Sequence, residues 1–297
     1  MNRCWSCGVE LGVHNLTHEH IVPNSIGGHR ISTTILCDPC NKGFSPLDAE
    51  LAKFAAMCMV LLNPKKDYGK KAQALATEVG TNIETILYAG GEGRLRNPIV
   101  QTENGITEIQ APTEKRLEQE IQRLKKISPK IDFDQSFQNK EFRVHEVSGD
   151  FKSSMIGRRR ELYRACAKIG LNQLFDITPY SQGYKESIEF VKTGVGEDLV
   201  FNFEYEGEQN INIRPFHFVN LVGKVEEKIA YAYIGLFESI RFLIILDRNF
   251  EGQNFNRTLI HFLDGNFAEG EINKTYTRSE IEFIFENKPR ITSTRGE

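Results

Sequence analysis

Two Cys-x-x-Cys pairs, Cys4 with Cys7 and Cys37 with Cys40, stand 29 residues apart near the start of the chain. Each pair presents two thiolates from one tight turn. Together they offer a closed tetrahedral set of four sulfur ligands, which suits Zn²⁺. With all four positions filled by protein, such a metal staples rather than catalyses. The segment around it is rich in Gly and His and short of apolar core, so metal binding becomes part of its folding energy. The alternative is four ordinary thiols. An Fe–S cluster would take the same ligands, but nothing else in the sequence points to redox chemistry. Six cysteines in 297 residues are also too few for a disulfide scaffold.

The rest of the chain divides by composition. Residues 1–62 hold the cysteine pairs and then a helical pattern over Asp48–Leu62, with Leu51, Phe54, Ala55, Cys58, Met59 and Leu62 at three- and four-residue steps. Asp48 is read as its N-cap, and Cys58 as a buried small hydrophobe. Residues 63–145 contain a basic run (Lys65, Lys66, Lys70, Lys71), a Gly90-Gly91 loop and a charged helix over Glu114–Lys126. They are read as a connecting region of helices with a short hairpin. Residues 146–297 are richer in aromatics and β-branched residues. Their pattern predicts a helix over Gly157–Phe175 and strands over Leu199–Tyr205, Phe216–Leu221, Ile229–Ile234, Arg241–Leu246 and Glu280–Phe285. The expected fold class is α+β: a small zinc-held module, then a larger domain with a mostly antiparallel sheet. That last domain is expected to fold without zinc and to carry the self-association surface.

Between the cysteine pairs lies His18-Glu19-His20-Ile21-Val22-Pro23, then Gly27-Gly28-His29, and Asn41 follows Cys40 directly. This order of Cys-x-x-Cys, acidic-His-Ile-Val-Pro, Gly-Gly and Leu-Cys-x-x-Cys-Asn resembles the zinc-stapled branch of the HNH endonucleases, a family with the ββα-metal fold. The resemblance spans roughly residues 4–50. It implies that His20 is the general base of phosphodiester hydrolysis. It also implies that Glu19 and Asn41 hold a catalytic divalent cation, Mg²⁺ first, with Mn²⁺ and Ni²⁺ compatible. The chemistry is apt, since His accepts protons near neutral pH and hard cations take oxygen ligands. Adjacent residues on a strand point to opposite faces, however, so Glu19 and His20 need a bend to converge. The family's middle Asn falls at Ser32 in this chain, which weakens the expected bracing of the loop between the two strands. Trp5 is expected to pack on the zinc knuckle, and His18 to share the face of His20. His14, His145, His217 and His261 follow no spacing.

The net charge is −3, from 37 basic and 40 acidic residues. A uniformly basic nucleic-acid binder is excluded, so any phosphate-binding surface is local. Arg158, Arg160 and Arg164, with Lys168 on the same helical face, form one candidate stripe, and His29 in the glycine loop is another contact. The acidic stretch Glu186–Glu208 would face away from DNA. No apolar run reaches the roughly 20 residues of a membrane helix. The N-terminus has no signal-peptide pattern, so the expected compartment is the cytoplasm. The function expected from the resemblance is metal-dependent DNA cleavage, by analogy in defence against foreign DNA. A duplex break needs two active sites, which points to a homodimer. The alternative is a zinc-stapled nucleic-acid-binding or adaptor protein that does not cut. Such a protein would need the four cysteines but not Glu19, His20 and Asn41.

Overall fold

The computed structural model describes residues 2–64, 71–103, 106–127, 151–152, 159–178, 183–195, 199–203, 214–270 and 275–287. They fall into two compact units. One joins Met1–Cys58 and Pro64–Gly69 with Ile156–Glu297; the other contains Met59–Asn63 and Lys70–Met155. The division read from composition, 1–62, 63–145 and 146–297, therefore separates two stretches that share one core.

In the first unit, the N-terminal stretch folds as a two-residue hairpin and a helix. Strand β1 (Glu19–His20) pairs antiparallel with β2 (Ile31–Ser32), and helix α1 (Asp38–Phe54) follows. Cys37 is extended and caps α1, and a proline stands in the first turn, where its missing N–H costs nothing. The helix thus starts ten residues before Asp48, the N-cap expected from the sequence. It also runs through Pro46. A short helix, α2 (Ala56–Leu62), comes next. Cys58 is buried as expected, which pushes its thiol up to about 11.

The C-terminal stretch supplies helix α4 (Arg159–Ile177), helix α5 (Lys185–Thr193) and a six-stranded antiparallel sheet. The sheet order is β14 (Phe267–Gly270), β13 (Phe255–Phe262), β10 (Phe216–Lys224), β11 (Ile229–Leu236), β12 (Ile240–Asp247), β9 (Val200–Phe203). Helix α4 lies on this sheet. A Cβ at Gly170 would stand 3.1 Å from that of Ala232, so the glycine sets the close approach of helix to strand. Phe54 of α1 and Tyr163 of α4 both meet Phe242 of β12 edge-on, so one aromatic residue of the sheet touches both stretches. Burial of α4 extends all round, from Leu162 to Phe175. Helix α4 has the N-terminal stretch on one side and the sheet on another, so the C-terminal stretch, expected to fold independently, packs against the N-terminal stretch within one unit.

Four of the five expected strands are present. The fifth, Glu280–Phe285, is instead part of helix α6 (Arg278–Glu286), opened by a capping box between Thr277 and Glu280. The second unit also departs from expectation. It contains a four-stranded sheet in the order β5 (Gly93–Leu95), β4 (Glu84–Tyr88), β3 (Gln73–Glu78), β8 (Phe151–Lys152). Beside it are the hairpin β6 (Ile99–Glu103)–β7 (Ile106–Gln110) and helix α3 (Glu114–Ile127). Only that hairpin and α3 match the helical reading. Strand β3 buries Ala74 and Ala76 on one face while Gln73 and Leu75 are exposed on the other, so no apolar-polar alternation marks it in the sequence. Among the described residues no helix is long and apolar enough to cross a membrane.

Candidate active site

The four cysteines converge. Their sulfur atoms all lie within 4.8 Å of one another, and the Cys7 and Cys37 sulfurs are 3.7 Å apart. Ligands at about 2.3 Å in a tetrahedron stand about 3.8 Å apart, so the cluster has the dimensions of a zinc site. Burial pushes the Cys4 thiol up to about 11 and raises that of Cys40. Thiolates in such a place need a bound cation. The chemistry of the donor set fits structural zinc, held by Cys4, Cys7, Cys37 and Cys40.

Trp5, inside the first pair, is buried and stacked against Phe44 at 5.4 Å and Phe175 at 6.3 Å. Its indole N–H donates to Asn172 Oδ1 at 3.0 Å. Because indole is a donor only, this bond fixes which end of the Asn172 amide is which. Asn172 Nδ2 then donates to Glu19 Oε1 at 2.8 Å and to the His20 carbonyl at 3.4 Å. One side chain of α4 thus holds both residues of β1.

Lys168 stands one turn earlier on α4, and its side chain is 0% exposed. Its ammonium lies 2.7 Å from Glu19 Oε1 and 2.9 Å from each carboxylate oxygen of Asp48. Burial alone would lower the Lys168 pKa, but the Asp48 and Glu19 carboxylates outweigh it and raise the pKa, so the lysine stays charged. The expected phosphate stripe is thus interrupted at Lys168, while Arg160 stays exposed. Lys168 is interior. Arg160 donates to the Gly194 carbonyl, and Arg164 to the carbonyls of Val191 and Lys192, where both close the C-terminal end of α5. Arg158, Lys65, Lys66, Lys70, His145, Ser148 and the acidic positions 197, 198, 204, 206 and 208 lie outside the described residues.

The hairpin is braced from several sides. Ser32 pairs with Glu19 across the strands, and its hydroxyl accepts the Thr34 N–H at 3.3 Å, so it fastens the loop despite replacing Asn. Gly27 has φ 89°, and a Cβ on Gly28 would stand 1.9 Å from the Val22 carbonyl oxygen, so neither position tolerates a side chain. Arg30 pairs with Asp176 of α4 at 2.6 Å. His217 Nε2 donates to the Ile26 carbonyl at 2.9 Å and ties the glycine turn to β10. His29 is half-buried, with its ring about 3.8 Å from where a Cβ on Gly265 would lie, and not on a free loop.

Asn41 sits in the first turns of α1 and donates to Thr17 Oγ1 at 3.0 Å, which fastens it to the segment entering β1. A family model described as HNH endonuclease matches residues 4–54. Those residues are an HNH endonuclease module. No curated protein and no solved structure matches the chain.

Within the HNH module, the fit of a catalytic divalent cation can be tested on its expected ligands. Glu19 Oε1 already carries the Lys168 ammonium and the Asn172 amide. A divalent ion on that oxygen would have to displace a buried lysine, and bringing it beside the ammonium is electrostatically unfavourable. Among the described residues, only the four cysteines gather three or more His, Cys, Asp or Glu ligands at metal-binding distance. Glu19 Oε1 is thus engaged by protein partners rather than open to the cation that the resemblance implies. Sequence reasoning missed Lys168, Asn172 and Asp48 as parts of the site. Lys168 and Asn172 lie about 150 residues from Glu19, and no local pattern marks their pairing.

Proposed function

We propose that the chain is an endonuclease acting on DNA, with His20 as the general base. The carrying observation is the anchoring of His20. It lies on a strand of the HNH module, its backbone bonded to β2 and to Asn172, beside a cysteine cluster of zinc dimensions. His20 takes the proton from a water molecule as that water attacks phosphorus. The 3′ oxygen leaves and takes up a proton, giving 5′-phosphate and 3′-hydroxyl ends. Proton transfer of this kind contributes roughly 10²–10⁴-fold to rate. Asn41, oriented by Thr17, stands at the start of α1, where helix N–H groups favour a phosphate. No step is assigned to a cation on Glu19. The zinc is structural. Defence against foreign DNA is the biological role we propose by analogy with other small cutting modules joined to larger partners.

A second reading has one observation in its favour. His20 is only 7% exposed and Glu19 is ion-paired, an arrangement that would also suit a zinc-stapled binding protein that does not cut. Incubation of the full-length protein with supercoiled plasmid, with and without Mg²⁺, Mn²⁺ or Ni²⁺, separates the two. Nicked or linear product that a ligase reseals supports the nuclease. Plasmid that is retarded on a gel but stays supercoiled under every ion supports the binding protein.

A further inference from the structure

We propose that Glu19 is a positioning residue rather than a cation ligand, and that α4 completes the nuclease site by holding it. The inference rests on the nuclease reading above and adds residues from outside the HNH module to it. Strand β1 is two residues long and pairs with β2 only through Ser32 and Ile31. So short a strand does not fix its own geometry. Further fastenings come from α4. Lys168 and Asn172 both engage Glu19 Oε1, and Asn172 also reaches the carbonyl of His20.

The chemistry of the cluster separates a positioning role from a ligand role. One ammonium lies among two carboxylates, Glu19 and Asp48, with the lysine fully buried. Lys168 thus occupies the place where a cation would neutralise these two acids. Asp48 lies on α1, which also carries Asn41, so the same ammonium links β1, α1 and α4. Trp5 extends the chain of contacts to the zinc knuckle through Asn172. Because neighbouring strand residues leave on opposite faces, locking Glu19 toward α4 directs the His20 side chain to the other face. The acidic residue before the histidine then sets where the base points.

The test uses full-length protein and three variants: Glu19→Gln, Lys168→Met and the double variant. Glutamine keeps an acceptor for both Lys168 and Asn172. Expected for Glu19→Gln is a several-fold fall in kcat, with KM for plasmid and zinc content unchanged. Lys168→Met leaves the buried Glu19 and half-buried Asp48 carboxylates without their cation, and its kcat should fall at least tenfold. The double variant, which removes one of those charges, should recover much of that loss. Mn²⁺ binding followed by electron paramagnetic resonance gives a readout independent of cleavage. Equal affinity in wild type and Glu19→Gln, or no binding in either, is the expected result. A tenfold or greater loss of Mn²⁺ affinity in Glu19→Gln, or a double variant worse than both singles, would overturn the proposal. If Lys168→Met does not fold, Glu19→Gln alone still decides between the two roles. A wild-type protein that cuts no nucleic acid would remove the nuclease reading but leave the Mn²⁺ comparison standing.

Discussion

Acidification should unfold the first unit through two histidines on adjacent strands. His217 and His261 are cross-strand partners in β10 and β13, and both are buried. Burial pushes His217 down to about 4, and burial together with the charges of His217 and Arg30 pushes His261 down to about 3, from an ordinary 6.5. The unfolded chain therefore takes up protons at 6.5, while the folded chain refuses them until about pH 4. Their neutral forms contribute stability that is fully present above pH 6.5 and is lost as pH falls toward 4. At pH 5 each group lies about 1.5 units below its unfolded pKa, which costs about 2 kcal/mol, or about 4 kcal/mol for both. That is a large part of an ordinary domain's 5–15 kcal/mol. The two are not equivalent. His217 donates to the Ile26 carbonyl and accepts from the Phe237 N–H. The ring nitrogens of His261 have no hydrogen-bond partner among the described residues. Urea melts at pH 7.5 and 5.0 test this, because most carboxylates titrate lower. His261→Leu should be nearly neutral at pH 7.5, more stable than wild type by about 2 kcal/mol at pH 5, and should halve the pH dependence. Equal stability of the wild type at the two pH values, or an unchanged dependence in His261→Leu, would refute the reasoning.

Purified full-length protein should contain about one zinc per chain. Cys37→Ser should lose the metal, measured by atomic absorption, and with it protection of the N-terminal stretch from proteolysis. A fragment ending at Leu62 should fail to melt cooperatively even with zinc added, because Lys168, Asn172, Asp176 and His217 are absent from it. A fragment starting at Ser148 should fail likewise, because α4 loses the residues it packs on; circular dichroism melts check both. Thr277→Ala should cost α6 about 1 kcal/mol by urea melt, since its hydroxyl accepts the Glu280 N–H.

What the sequence made legible was set by local chemistry. The zinc ligands, the Gly-Gly turn, helix α4 and four strands of the large sheet each follow from spacing or periodicity within about twenty residues. Glu280–Phe285 was misread because Ile281, Phe283 and Phe285 alternate like a strand, although Thr277 and Glu280 already spelled a capping box. Periodicity alone starts the helix at Asp48, since Pro46 and Gly43 look like breakers, whereas the resemblance sets Asn41 at a helix start, close to Asp38 where α1 begins. The role of Lys168 was not legible at all. Helical spacing aligned it with Arg160 and Arg164, and only the tertiary fold brings Glu19 and Asp48 to it. The same holds for Asn172, which would pass for an ordinary polar residue on a buried helix.

The central claim is that His20 is the base of a DNA-cutting site. Single-turnover cleavage of supercoiled plasmid by full-length wild type and His20→Ala, both verified to carry zinc and to melt alike, tests it most directly. A loss on the order of 10²–10⁴-fold in rate, with plasmid binding retained, is the predicted result. Cleavage by His20→Ala at the wild-type rate would contradict it.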